Sequence, residues 1–320
     1  MTSQTAVVLG CKGQDGSLMC KSLLDKNYKV IGLIRGELKN HSNLHRLGIE
    51  KDIEVKIGDI RNFNDIHRLL ENNRPKCVYN LAAQSSVGKS FINPNESIET
   101  IVNGTMNILN VAKTLDYSGQ LFFAGSSEMF GNTEGGANSE HVQNPVSPYA
   151  IGKQASFNLV KLYRERFNLK CVTGILFNHE SNLRDKNFVT QKIVQGAIGI
   201  ANKKQTNKIK LGNINVIRDW GWAPEYIEAM QLVANSKQLT DHVICTGKPN
   251  SLKSFINKLF TFLNLDWHDY IEIDPALYRP NEIEISYGNP LPIFENLGWK
   301  AKEDIDSIIE KLIISTDINN

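Results

Sequence analysis

Ala6-Val7-Val8-Leu9, followed by Gly10-Cys11-Lys12-Gly13-Gln14-Asp15-Gly16, is the stretch that decides the fold. Four apolar residues read as a short buried strand. Three glycines at intervals of three follow it, and a helical pattern opens at Gly16. Glycine permits a tight turn and a close backbone approach, and a helix N-terminus favours an anion. Together these suit a dinucleotide pyrophosphate. The spacing differs by one residue from the G-x-G-x-x-G fingerprint, and a plain tight turn would also use glycine. The position at a first strand–helix junction is what favours the cofactor site.

Outward from this stretch the pattern repeats. Strands are expected at Ala6–Leu9, Val30–Ile34, Ile53–Ile57, Cys77–Leu81, Leu121–Ala124 and Val172–Phe177. Helices are expected near Gly16–Lys26, Asn62–Asn72, Ser97–Thr114 and Ser147–Phe167. Strand alternating with helix predicts an α/β, Rossmann-type doubly wound parallel sheet. The rhythm weakens after about residue 180, with one late strand at Val243–Cys245. The expected division is a dinucleotide-binding domain of residues 1–181 and 217–247. A smaller, interleaved C-terminal substrate-binding region would comprise residues 182–216 and 248–320.

Composition excludes several classes. The 320 residues are 41% hydrophobic and 22% charged, with a net charge of +2. Such a near-neutral balance argues against nucleic acid as a partner. No apolar run approaches the roughly 18 residues of a membrane helix. The first residues lack the basic region and cleavage site of a signal peptide. The five cysteines (Cys11, Cys20, Cys77, Cys171, Cys245) include no Cys-x-x-Cys pair, so neither a disulfide framework nor a zinc site is expected, and a cytoplasmic setting fits. The seven histidines show no ligand spacing, and no metal is expected.

In a doubly wound sheet, ligands bind beyond the carboxyl ends of the strands. Those ends carry polar or glycine residues at every turn: Arg35-Gly36, Gly58-Asp59, Ala82-Ala83-Gln84-Ser85-Ser86, Ser126-Ser127-Glu128 and Asn178-His179-Glu180. Arg35 ends the second strand, where an acid would hold a ribose 2′-hydroxyl and an arginine suits a 2′-phosphate. NADP is therefore expected over NAD, although Arg35 also reads as a solvated surface residue. Asp59 would accept from the adenine amino group or cap the helix near Asn62.

Tyr149 and Lys153 lie four apart, on one helix face. A lysine ammonium beside a phenol stabilises phenolate and would bring its pKa down toward working pH. Such a tyrosine can take the proton of a sugar hydroxyl. Ser126 can hydrogen-bond the same hydroxyl, and Glu128 is a candidate general base in the same crevice. Lys192, Arg218, Arg279 and Glu282 are scattered downstream; the cations suit a second pyrophosphate, that of a nucleotide-sugar.

With these residues in place, the chain resembles the extended short-chain dehydrogenase/reductase family, and within it the dehydratases of GDP-sugars. The matching strings are GCKGQDGS (10–17), YNLAAQSSV (79–87), SSEMFG (126–131), SPYAIGK (147–153), GILFNHES (174–181), NFVTQKI (187–193), LGN (211–213), RDWG (218–221), EAM (228–230) and YRPNEIE (278–284). The resemblance implies Ser126, Glu128, Tyr149 and Lys153 as the catalytic set. It implies Gly10, Gly13, Gln14, Asp15, Gly16, Arg35, Asp59, Ile60, Leu81, Ala82, Ala83, Tyr149 and Lys153 as the cofactor site. For the GDP-sugar it implies Ser85, Ser126, Glu128, Asn178, Val189, Lys192, Gly212, Arg218, Arg279 and Glu282.

Gly36 stands where the family has a second arginine, and Val146 and Leu183 replace two more. The implied reaction converts a GDP-hexose to its 4-keto-6-deoxy sugar through bound NADP, in a homodimer or homotetramer. The alternatives within reach of these residues are a GDP-sugar 4-dehydrogenase or epimerase, with NAD as an alternative cofactor, and a non-catalytic dinucleotide sensor.

Overall fold

The computed structural model describes residues 4–38 and 42–317. Seven parallel strands form one sheet: β1 (Thr5–Leu9), β2 (Lys29–Ile34), β3 (Glu54–Ile57), β4 (Cys77–Asn80), β5 (Gln120–Ser126), β6 (Cys171–Leu176) and β10 (His242–Ile244). Their order is β10-β6-β5-β4-β1-β2-β3, and each neighbouring pair is parallel. The chain runs outward from β1 in one direction through β3 and in the other through β4. That reversal leaves a crevice between the ends of β1 and β4.

Alternation along the strands explains the two faces. Ala6 and Val8 point into a core with Met19 and Leu23 of α1 (Gln14–Asp25) and with Met230 and Val233 of α9 (Ala223–Asn235). Val7 and Leu9 point the other way. They pack with Ile66 of α3 (Phe63–Asn73), Ile108 of α6 (Gly104–Thr114) and Val160 of α7 (Pro148–Phe167). With a helical layer on each side, the strands are buried on both faces and read as continuous apolar runs.

All six early strands and the late one appear within a few residues of their expected places. The helix expected from Ser97 instead begins at Pro94, as α5 (Pro94–Ile98). It passes through a π turn, Glu99–Asn103, before α6. A π turn carries the regular apolar spacing out of register, so the sequence pattern shows only its later part.

A second core lies in the later chain. It joins α8 (Val189–Ala201), α10 (Leu252–Phe262) and α13 (Ile305–Asp317) over β8 (Ile209–Leu211) and β9 (Ile217–Trp222). Strand β9 pairs with β7 (Asn178–Glu180), β11 (Pro249–Ser251) and β13 (Ile285–Ser286), outside the large sheet. β8 pairs with β12 (Ile271–Ile273). Three short helices complete the described chain before α8: α2 (Asn43–Arg46), α4 (Val87–Ile92) and the α5 turn; α11 (Trp267–Tyr270) and α12 (Leu291–Leu297) follow it. Among the described residues no helix is long and apolar enough to cross a membrane.

One buried ion pair ties α7 to the sheet edge. Arg164 donates to both Asp241 oxygens (2.8 and 2.6 Å), and the Thr173 amide donates to the same carboxylate at 2.7 Å. Asp241→Ala would strand a guanidinium that is only 13% exposed. The expected cost is about 3–5 kcal/mol, the range for breaking one half of a buried pair. Urea unfolding checks this: the midpoint falls while the slope is unchanged. A loss under about 1 kcal/mol, the range of exposed pairs, would show the pair to be dispensable.

Candidate active site

Gly10 closes the β1–α1 turn with φ +82°, and a Cβ there would lie 2.8 Å from the Ala82 Cα and the Leu81 carbonyl oxygen. A Cβ on Gly16 would stand 2.2 Å from the Gly10 oxygen. Neither position accepts a side chain, so the loop is pressed against the strand end at 81–83. Gly13 differs: a Cβ there meets only the Gly10 oxygen, at 3.5 Å. Gly13 is the N-cap of α1, and no side chain caps the first-turn amides. A pyrophosphate fits that cradle.

Gln14 and Asp15 turn inward. The Gln14 amide donates to Asp15 (2.9 Å) and to the His179 carbonyl (3.2 Å), and its oxygen accepts from Ser181 Oγ at 2.8 Å. His179 Nε2 lies 3.1 Å from Asp15 Oδ2, while Nδ1 lies 2.6 Å from the Phe177 oxygen. Burial pushes the Asp15 carboxyl up, but His179 and Gln14 outweigh it and hold the group at about 2. Arg184 donates to the His179 carbonyl (3.0 Å). These contacts bind the glycine loop to the strand that carries Asn178. His179 and Arg184 were not among the expected site residues. Their signal was a histidine, a glutamate and an arginine in the polar stretch that follows the apolar run of β6.

At the end of β2, Arg35 is half exposed and pairs with Glu96 at 3.3 Å. Asp59 does not cap α3; Asn62 does, accepting from the Asn64 and Asp65 amides. Asp59 is instead gripped by the Arg61 guanidinium, which lowers its pKa. Ile60 is buried, and its carbonyl accepts from Asn107 at 3.0 Å.

Ser147 and Pro148 start α7. Ser147 Oγ accepts from the Ala150 amide (3.1 Å), and proline sits where an amide would be unsatisfied. Ser156 Oγ donates to the Ile101 carbonyl within the π turn (3.0 Å), fixing α7 along its neighbour. Tyr149 and Lys153 are thereby buried beside the end of β5, where Ser126 and Glu128 stand.

The lowered tyrosine pKa is not found. Burial pushes Tyr149 up to about 12, and a hydrogen bond with Ser126 only partly opposes it. Lys153 does not offset the burial. Its ammonium donates to the Ala124 carbonyl (2.6 Å) and lies 5.7 Å from the Tyr149 ring centroid. Burial also brings Lys153 down to about 8.

Burial raises the Glu128 carboxyl above its ordinary value, and Arg218 and Arg279 only partly offset this. Arg218 is itself buried and pairs with Glu282 at 3.3 Å; Arg279 lies 3.8 Å from the same oxygen. Glu128, Arg218, Arg279 and Glu282 line one crevice with Val87 and Val146. The charged residues of three segments far apart in sequence are thus gathered.

Lys192 is not part of that group: its ammonium is turned to the Lys210 carbonyl (2.6 Å). Val189 opens α8, Asn178 is paired with Trp220, and Ser85 is exposed on the loop before α4. A Cβ on Gly212 would lie 2.7 Å from the Leu277 oxygen, so the helical turn Pro275–Leu277 leading to Arg279 sits directly on it. Asp219, also not foreseen, accepts from Thr246 and Gly247 amides (2.9 and 2.8 Å) and fixes the turn after β10 beside Arg218. Among the described residues no group of His, Cys, Asp and Glu is placed to hold a metal.

A family model described as GDP-mannose 4,6 dehydratase matches residues 7–312. GDP-mannose 4,6 dehydratase 1 of Arabidopsis thaliana is 36% identical, the alignment covering 98% of this chain and 89% of that protein. The Homo sapiens enzyme is 30% identical over 96% of this chain and 90% of its own. Among solved structures, DesIV, a dTDP-glucose 4,6-dehydratase from Streptomyces venezuelae, superposes with a TM-score of 0.88 at 20% identity. It covers 99% of this chain and 98% of its own.

Proposed function

The chain belongs to the GDP-mannose 4,6-dehydratase family of short-chain dehydrogenase/reductases, and from that premise we propose that it converts a GDP-hexose, GDP-mannose first, to the GDP-4-keto-6-deoxy sugar. The observation that carries this is Glu128: a carboxyl beside Ser126 and Tyr149 whose charge is balanced by Arg218 and Arg279. Oxidation at carbon 4 alone needs no second base, whereas elimination does.

NADP is the dinucleotide of this reading. Its pyrophosphate would lie on the Gly10–Gly16 turn, with Arg35 at the ribose end and Leu81, Ala82 and Ala83 along the strand end. When bound, its nicotinamide would supply a hydride acceptor for carbon 4 and, once reduced, the donor that returns the same hydride to carbon 6.

Every other part belongs to side chains. Tyr149 takes the carbon-4 hydroxyl proton, with Ser126 orienting that hydroxyl and Lys153 carrying the neighbouring positive charge. The resulting ketone acidifies carbon 5, and Glu128 takes that proton. The same carboxyl, raised by burial, then has that proton to give to the hydroxyl leaving carbon 6 as water, and the proton taken by Tyr149 balances the one that carbon 5 regains when carbon 6 is reduced. Arg218 and Arg279 hold the substrate pyrophosphate. A homodimer or homotetramer completes the reading; Phe91, Ile92, Ile151 and Leu162 on α4 and α7 are apolar and exposed. The five cysteines are free and buried, as suits the cytoplasm.

Incubation with GDP-mannose and other GDP-sugars, followed by mass spectrometry, tests the proposal. The expected product is lighter by one water. A product that has kept all its oxygens would assign a 4-dehydrogenase or epimerase, and absence of any dinucleotide affinity in a calorimetric titration would overturn the whole reading.

A further inference from the structure

The charges around the end of β2 and the loop after β3 do not form a simple basic pocket. Arg35 follows β2, and its guanidinium pairs with Glu96 Oε1 at 3.3 Å. Lys12 reaches the Arg35 carbonyl oxygen at 3.4 Å. Arg61, after β3, is held by Asp59 at 2.6 Å and lies 3.7 Å from Glu99. Glu96 and Glu99 are three apart on the helical segment from Pro94, so they share one face. That face is turned to both loops. Each arginine that faces the ribose end therefore already has a carboxylate partner. Gly36, next to Arg35, adds no charge: a Cβ there would meet nothing within 4 Å.

We propose that Glu96 is a specificity-determining residue, which weakens the preference of this chain for NADP over NAD by occupying Arg35 and setting a carboxylate beside the 2′-phosphate position. The inference rests on the dinucleotide site assigned above. A 2′-phosphate carries close to two negative charges at neutral pH. To reach Arg35 it displaces Glu96 and then remains near it, a like charge within a Debye length. A ribose 2′-hydroxyl meets neither cost, and it can donate to the Glu96 carboxylate. Arg35 and Glu96 are each about half exposed (48% and 47%), so water screens the effect and keeps it moderate.

The test is calorimetric titration of the full chain with NADPH and with NADH. Glu96→Gln keeps the shape and removes the charge. It is expected to tighten NADPH by about three- to tenfold, the scale of a partly screened ion pair, and to leave NADH within about twofold. In an Arg35→Gln background the gain should disappear, because the carboxylate acts through that guanidinium. Near-equal shifts for the two dinucleotides, no shift for either, or a gain that survives Arg35→Gln would overturn the proposal while the site itself stands. Failure of the unmodified chain to bind either dinucleotide would overturn the assignment of the site, which is a different result.

Discussion

Replacing Tyr149 by phenylalanine is expected to lower turnover of a GDP-hexose by roughly 10²–10⁴-fold, the contribution of a positioned acid–base group. Phenylalanine keeps the buried ring and gives up only the hydroxyl and its hydrogen bond with Ser126, so the thermal midpoint should shift little and the affinity for GDP-mannose should change little. Loss of nicotinamide reduction in a single turnover is the decisive reading, because the missing group acts on the first proton. If the variant still reduces nicotinamide at the wild-type rate, Tyr149 is not the residue that takes the carbon-4 hydroxyl proton.

The same phenol offers a second check. In the ligand-free protein its pKa is pushed up to about 12 by burial, so difference absorbance between wild type and variant should show no tyrosinate until strongly alkaline pH. Lys153 titrates earlier, at about 8. Below that value the ammonium is present beside Tyr149; above it the charge is lost, and kcat/KM should decline along that limb. The Lys153 effect on folding has the opposite sign. Its folded pKa lies below the ordinary 10.5, so the unfolded chain binds more protons between about 8 and 10.5, and this group makes the protein more stable as pH rises through that window.

The limits of sequence reading show in this pair. Strand positions were legible because both faces of each strand are covered, which leaves unbroken apolar runs ending in glycine or polar residues. The Ser147-Pro148 start of α7 and the Gly10–Gly16 turn were legible because capping and close approach admit few residue types. Which way Lys153 points was not. A four-residue interval places two side chains on one face, but the Ala124 carbonyl, a contact across twenty-nine residues, decides where the ammonium goes. Likewise Lys192, Arg218, Arg279 and Glu282 stood together as charges suited to a nucleotide-sugar. Only three of them share an ion-pair group, since β9 and the 275–284 segment meet through a fold that no local pattern encodes. His179 and Asp15 were visible one by one, and only the packing of β7 against the glycine loop makes them a pair.

Glu128→Gln should separate the two halves of the reaction. The amide keeps the shape of the carboxyl and the backbone turn Ser127–Met129, and it removes one charge facing Arg218 and Arg279. Ser126, Tyr149 and Lys153 are untouched, so oxidation at carbon 4 persists and the absorbance of reduced nicotinamide should rise once per active site. The carbon-5 proton then has no acceptor. Overall turnover is expected to fall by about 10²–10⁴-fold, with an intact 4-keto hexose, still carrying its carbon-6 oxygen, recovered by mass spectrometry.

A purely electrostatic role for Glu128, balancing the two arginines, predicts something else. Removing the charge would leave Arg218 and Arg279 better able to hold the substrate pyrophosphate, so KM would fall while water loss continued. The split between kcat and KM therefore decides the role. A variant that releases the 4-keto-6-deoxy product at the wild-type kcat shows that another group takes the carbon-5 proton. Failure to reduce nicotinamide at all shows that Glu128 serves the first step rather than the second.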